Sequence, residues 1–380
     1  MLKSAELKKS CRNLFAEYGI SEDDINKRLK DTVSEFFYGE SRVYFDTEDG
    51  LAYITDTGND DVRTEGMSYG MMMCVQLDMK PEFDKLWGWA KKYMYLSEGV
   101  NECYFAWSCN LNGTRRSGGP APDGEEFFAM ALFFASHRWG DGEGIYEYSR
   151  QAREILRACL HKGENGRAGA SMWNRDNYQI LFVPGCPFTD PSYHLPHFYE
   201  LFSLWGDEED SDFWKKAAAA SREYLKIACH PVTGFSSEYA NFDGTPRTPN
   251  PSWCDERHDW FFSDAYRTAA NIALDYEWFG VDVGQIKACD NIQRYLNEDA
   301  ANNCLHMYEV DGTPIEGPLR HPVGLAATTA QASLAADNET TKEWVMRFFN
   351  MPMRTDKRRY YDNCLYLFAM LALSGNYRIY

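Results

Sequence analysis

The chain has 380 residues, a formal net charge of −18, 44% hydrophobic residues and 15% aromatic residues. That much apolar material can build one large core, yet no uninterrupted apolar run approaches the roughly 18 residues of a membrane span. The negative charge repels phosphate backbones and anionic lipid surfaces, so nucleic acid and membranes are excluded as partners and a neutral substrate fits.

Met1 to Glu6 lack the apolar stretch of a signal peptide. The 11 cysteines contain no CxxC pair, and Cys74, Cys159, Cys289 and Cys364 sit in apolar helical patterns, so they read as reduced, buried thiols. Together these features predict a cytoplasmic protein. No linker-like or low-complexity segment divides the chain, so residues 1–380 are expected to form a single domain.

In chain order, a short N-terminal helix precedes a helix with one apolar stripe near 21–37. Val43-Tyr44-Phe45 and Leu51-Ala52-Tyr53-Ile54 read as short strands around a turn with Asp49-Gly50. A helix apolar on all sides follows at 64–78 (Met67, Met71, Met72), then a striped one near 82–96 (Phe83, Leu86, Ala90). Tyr104–Trp107 reads as a strand before the turn Asn112-Gly113. From there the two helix types alternate. All-round apolar helices are expected at 124–138, 193–205, 262–278, 321–336 and 360–374, and striped ones near 146–161, 211–229, 283–297 and 340–350. A helix apolar all round belongs inside, and a striped one outside. Six inner and six outer helices in alternation define an all-α (α/α)6 barrel with short β excursions on its rim.

In such a barrel the inner helices start on one face. The residues at the six starts are Glu65, Asp123, Tyr193, Asp264, His321 and the pair Tyr360-Tyr361. Any one acid could simply stabilise a helix N-terminus, and Asp123-Gly124-Glu125-Glu126 resembles a capping box. Three carboxylates on one rim suit another task. Glycoside cleavage needs one acid to protonate the leaving oxygen and a second carboxylate to activate water or attack carbon. Glu65 is the expected proton donor. Its helix N-terminus lowers its pKa, so burial and acidic neighbours, with Asp123 foremost, must outweigh the dipole.

His194 and His197 lie three apart, but Pro196 disturbs ligand geometry, and no nucleotide-binding motif occurs. Neither a metal nor a cofactor is expected. Asp56, Asp60 and Asp61 lack a calcium-loop pattern and read as a solvated loop.

The same segments resemble glycoside hydrolase family 8, and within it the subgroup that releases xylose from reducing ends. The carrying motifs are Asp61-Val62-Arg63-Thr64-Glu65-Gly66-Met67-Ser68-Tyr69-Gly70, Gly119-Pro120-Ala121-Pro122-Asp123-Gly124-Glu125-Glu126 and Asp190-Pro191-Ser192-Tyr193-His194-Leu195-Pro196-His197. Phe262-Ser263-Asp264-Ala265-Tyr266-Arg267, His321-Pro322-Val323-Gly324-Leu325 and Arg359-Tyr360-Tyr361-Asp362-Asn363 follow in order.

The resemblance implies an inverting reaction on xylo-oligosaccharides, with Glu65 as general acid and Asp264 as general base. It also implies that Asp123 positions the sugar and that Tyr193 helps hold the water. Arg267 would orient the base or its neighbours within the substrate site, and His321 would meet the reducing-end xylose. Trp107, Trp173, Tyr360 and Tyr361 match further substrate contacts. The family pattern has Ser or Thr before the central aspartate and usually Asp two residues after it. Pro122 and Glu125 stand there instead, which favours the xylose-releasing subgroup over cellulases and chitosanases. Residues 243–259, including Trp253 and Cys254, do not align. The alternatives are an endo-acting β-1,4-glycanase of the same family and, more remotely, a non-catalytic oligosaccharide-binding protein. A sugar lyase or epimerase would want a basic or histidine-rich cleft, which is not evident.

Overall fold

The computed structural model describes residues 10–380 except 253 and 255. The expectations attached to Met1–Glu6 and to Trp253 therefore lie outside the described residues.

The helices are α1 (Leu14–Glu17), α2 (Glu22–Tyr38), α3 (Thr64–Leu77), α4 (Lys80–Trp89), α5 (Pro122–Trp139), α6 (Tyr148–His161) and α7 (Pro196–Trp205). They continue as α8 (Ser211–Ala228), α9 (Tyr266–Phe279), α10 (Val283–Ala301), α11 (Pro322–Gln331), α12 (Thr341–Asn350) and α13 (Arg359–Leu373). The fold is all-α, and the two helix types differ as the pattern requires. All but one residue of α13 is buried, whereas α6 buries only Tyr148, Gln151, Ala152, Ile155, Leu156, Cys159 and Leu160. That three-and-four spacing is one face of a helix.

Neighbours follow the chain. α3 packs on α5, α5 on α7, α7 on α9, α9 on α11, α11 on α13, and α13 on α3. α4, α6, α8, α10 and α12 lie respectively against α3, α5, α7, α9 and α11, and α2 lies against α13. Local signals set the ends. Ser21 caps α2 by accepting from the Asp24 N–H, with Glu22, Asp23 and Asp24 in the first turn.

Three antiparallel two-stranded ribbons decorate the helices: β1 (Tyr44–Asp46) with β2 (Ala52–Ile54), β3 (Asp61–Arg63) with β4 (Ser108–Asn110), and β5 (Met307–Tyr308) with β6 (Pro314–Ile315). The strand expected at Tyr104–Trp107 is displaced to Ser108–Asn110. The Phe105 N–H is spent on a Glu125 carboxylate oxygen, 2.9 Å away, and the ladder forms only where Asp61–Arg63 runs alongside. The third ribbon turns at Asp311-Gly312, where the glycine takes φ +96°. The inner helices expected from 193 and 262 begin at Pro196 and Tyr266, because single 3-10 turns at Pro191–Tyr193 and Ser263–Ala265 precede them.

Two further expectations are corrected. Asp56 and Asp61 are buried, not solvated. Asp56 accepts from the Gly58 and Asn59 N–H groups and pairs with Arg63, while Asp61 pairs with Arg63 and accepts from the Ser108 hydroxyl. Only Asp60 is exposed. Among the cysteines, Cys74, Cys159, Cys289 and Cys364 are buried as expected, but Cys103, Cys186, Cys254 and Cys304 are half-buried. No disulfide occurs among the described residues.

α3 and α5 approach tightly at Gly124, where a Cβ would stand 2.4 Å from the Thr64 Cβ. Gly124→Ala should therefore push apart the helices that carry Glu65 and Asp123 and cost about 1–3 kcal/mol. A thermal or urea midpoint equal to that of the parent would contradict this contact.

Candidate active site

The first turn of α3 is fixed from outside, since the Thr64 N–H donates to the Trp107 carbonyl at 3.0 Å. Glu65 follows. Its Oε1 accepts from the Tyr360 hydroxyl at 2.8 Å and its Oε2 from Arg267 Nη1 at 2.9 Å. Gly66 makes the first contact possible, because a Cβ there would meet the Tyr360 ring and hydroxyl at 2.7 Å.

Asp123 lies in the first turn of α5 but does not cap it. Ala121 is the N-cap, Pro122 takes the first helical position, and Glu126 accepts from the Tyr199 hydroxyl at 2.6 Å. The capping-box expectation is thus replaced by a buried acid, whose Oδ1 accepts from the Gly124 N–H and whose Oδ2 accepts from Arg267 Nη1 at 3.1 Å.

Arg267, on the first turn of α9, is the centre of the cluster. Nη1 also donates to the Tyr69 hydroxyl at 2.9 Å. Nη2 lies 3.4 Å from Asp264 Oδ2 and 3.9 Å from Asp190 Oδ2. The guanidinium carbon is 5.6 Å from the centre of the Tyr193 ring. One buried cation thus faces four carboxyl groups. Their side-chain exposure falls from 31% at Asp264 through 13% at Glu65 and 9% at Asp123 to 0% at Asp190, so Asp264 is the one most open to water.

These surroundings set the protonation states. Burial pushes Glu65 up to about 7; Arg267 opposes this, and Asp264 and then Asp123 reinforce it. Burial and acidic neighbours raise Glu65, although Asp264 rather than Asp123 is the stronger of those neighbours. Asp123 is pushed up to about 6, again by burial against Arg267. Arg267 itself is held protonated by the acids around it, chiefly Asp264.

The other anticipated residues fall into two groups. His321 is the N-cap of α11. Its Nδ1 donates to Asp362 Oδ2 at 2.9 Å, and its ring stands edge-on to Tyr361 at 5.0 Å. Tyr361 donates to the Ser263 carbonyl at 2.9 Å, immediately before Asp264. Ser263 has φ +39°, a strained value for a residue with a side chain. Trp107 is 39% exposed beside Arg63, close to Glu65 in the fold. Trp173 is not brought into this group. It is 1% exposed, edge-on to Tyr199 and Trp214, and offers no open ring face. Arg267 contacts the carboxyl groups, as an orienting role implies, and Tyr360 spends its hydroxyl on Glu65.

Several groups escaped the sequence reading. Asp190 stood inside a recognised motif without an assigned role. Glu238 and His258 come together only because segment 238–239 pairs with 258–260 through backbone hydrogen bonds. Glu238 accepts from His258 Nδ1 at 3.0 Å and Trp260 Nε1 at 2.9 Å; burial, helped by Asp264, pushes it up to about 7. No local pattern encodes that meeting. Among the described residues, no three His, Cys, Asp or Glu side chains are arranged so that they could hold a metal ion. His194 is bonded to Thr189 and Ser221, and burial pulls both His194 and His197 down to about 3, as neutral core imidazoles.

A buried acid poised near neutrality beside a more exposed carboxylate is the equipment of an acid–base glycoside hydrolase. The glycosyl hydrolases family 8 profile matches residues 40–375, and the chain belongs to that family. It is 57% identical over 370 residues to the reducing-end xylose-releasing exo-oligoxylanase Rex8A of Paenibacillus barcinonensis, covering 97% of this chain and 96% of the relative. It is also 57% identical to the corresponding enzyme of Halalkalibacterium halodurans, over 97% of this chain and 94% of the relative. A solved structure of Rex8A complexed with xylose matches with a TM-score of 0.94 at 57% identity, covering 98% of each chain.

Glu65, the expected donor, is pushed up to about 7 and loses its proton as pH rises, so kcat/KM should fall through an alkaline limb near that value. The Tyr360 hydrogen bond favours the charged form of Glu65. Tyr360→Phe should therefore move the limb to higher pH, by about half a unit. A pH–rate profile whose limb stays still or moves down would contradict this.

Proposed function

We propose that the protein is an inverting glycoside hydrolase that releases xylose from the reducing end of β-1,4-xylo-oligosaccharides. The observation that carries this reading is the Arg267-centred cluster, with Glu65 poised near neutrality and Asp264 the most exposed acid. Identity of 57% to reducing-end xylose-releasing enzymes, over nearly the whole chain, supports the substrate class.

Asp264 is the base. It takes a proton from a water that attacks the anomeric carbon from the face opposite the leaving group. Glu65 gives its proton to the glycosidic oxygen as the carbon–oxygen bond breaks, and the configuration inverts. Asp123 holds the sugar beside the acid, and Tyr193 holds the water with Asp264. Trp107 offers a ring face to a sugar, while Tyr360 and Tyr361 line the same region through their hold on Glu65 and on the base segment. His321, fixed at Nδ1 by Asp362, meets the reducing-end xylose with its other nitrogen.

The closed succession of neighbours from α3 to α13 supports a single-domain (α/α)6 barrel. No helix among the described residues is long and apolar enough to cross a membrane. The cysteines, without a disulfide among the described residues, support work in the cytoplasm on imported oligomers.

A xylo-oligomer labelled at its reducing end tests the reading. Labelled xylose and an oligomer one unit shorter are expected. Mid-chain cutting of xylan with short oligomers spared would instead indicate an endo-acting glycanase. Glu65→Ala should lower kcat by about 10²–10⁴ on natural oligomers and much less on substrates whose leaving group needs no proton. Equal losses on both would remove Glu65 as the donor. His321→Ala should relax the length limit on the reducing-end side, as read by product analysis on longer oligomers.

A further inference from the structure

One carboxyl group of the cluster has no part in the reaction above. Asp190 caps the 3-10 turn Pro191–Tyr193 and is 0% exposed. Its Oδ1 accepts from the Ser192 N–H at 2.7 Å. Its Oδ2 is buried and has no hydrogen-bond partner, and Arg267 Nη2, at 3.9 Å, is beyond hydrogen-bond reach. The groups that face it are Arg267 and Asp264 from the start of α9, Tyr193 and Ser192 on its own turn, Tyr224 from α8 and Tyr239 from the paired segment. An ionised carboxylate with one bare oxygen in such a place is strongly disfavoured, whereas a carboxylic acid is tolerated. Burial and the nearby Asp264 both push Asp190 well above the usual carboxylate range, against the pull of Arg267.

We propose that Asp190 is a positioning residue that works as a neutral carboxylic acid, filling the space behind Arg267 without competing for its charge. Nη2, itself buried without a hydrogen-bond partner, then has Asp264 as its nearer ion-pair partner, at 3.4 Å. An ionised Asp190 would draw the guanidinium toward itself and slacken its hold on Asp264. This inference rests on the proposed role of Asp264 as base, and it gives the protein's most buried site acid a task distinct from proton transfer.

Asp190→Asn and Asp190→Ala, each checked by circular dichroism and thermal melting, separate the possibilities on a short xylo-oligomer. The amide matches the neutral acid in shape and charge. Asp190→Asn is therefore expected to keep both pH limbs in place and to lower kcat by no more than about threefold. Asp190→Ala is expected to lower kcat by about tenfold or more with KM nearly unchanged, because the emptied space lets the guanidinium swing. The proposal is overturned if the Asn variant loses as much as the Ala variant. An acidic limb that moves down in the Asn variant also overturns it, since that shift reports a lost negative charge. So does wild-type kcat in the Ala variant. If the Ala variant does not fold, the pH profile of the Asn variant decides alone. Failure of the parent enzyme to release xylose would instead strike the functional reading.

Discussion

Arg267 is a cation with almost no access to water, surrounded by four carboxyl groups and a phenol. Isolated, such a charge would be prohibitively costly to bury, and so would the acids. Together they form an arrangement in which one positive charge cannot ionise every partner. The shortfall keeps protons in the site: Asp190 is pushed well above the carboxylate range, and Glu65 is pushed to about 7. The proposed proton-donor chemistry therefore follows from counting charges in a buried place. Arg267 is better described as the organiser of the acids than as a ligand for sugar.

That balance also resolves the conflict at Glu65. The N-terminus of α3 favours a charged side chain, but the effect is modest and falls off within the first turn. Burial acts on the whole charge, and two acidic neighbours act in the same direction. Arg267 and Tyr360 temper the result, leaving the acid near neutrality and not locked in its neutral form. Glu125 and Glu126 show the other outcome. They are buried near the start of α5 without Arg267 in hydrogen-bond reach, and burial pushes both well above the usual carboxylate range.

The helices were legible in the sequence because their signals are local and repeated. A residue at every third or fourth position declares a face, and an unbroken apolar run declares an interior. The rim positions from Glu65 to Tyr361 followed from counting helix starts. What stayed hidden depends on partners distant in the chain. Trp173 matched a substrate contact until Tyr199 and Trp214 closed over it. Asp56 and Asp61 read as solvated until Arg63 and Ser108 claimed them. The pairing of Glu238 with His258 requires two irregular segments to align, and no periodicity announces it. Composition alone gives an acid no address; the partner that buries or pairs it does.

The start of α13 shows how little sequence can organise such a site. Tyr360, Tyr361 and Asp362 are consecutive, and successive side chains on a helix point about 100° apart. Those directions correspond to three neighbours, since α13 packs on α3, α9 and α11. Tyr360 accordingly holds Glu65 at the start of α3, Tyr361 holds the Ser263 carbonyl at the start of α9, and Asp362 holds His321 at the start of α11. Asp362 also ties down Gly324 and Arg354. One helical turn thus fixes the proposed acid, the segment carrying the proposed base and the residue assigned to the reducing-end sugar relative to one another. Displacement of any one of the three starts strains the other two through a shared rigid element. The groups proposed for proton donation, water activation and chain-end recognition are in this way placed on a common mechanical reference.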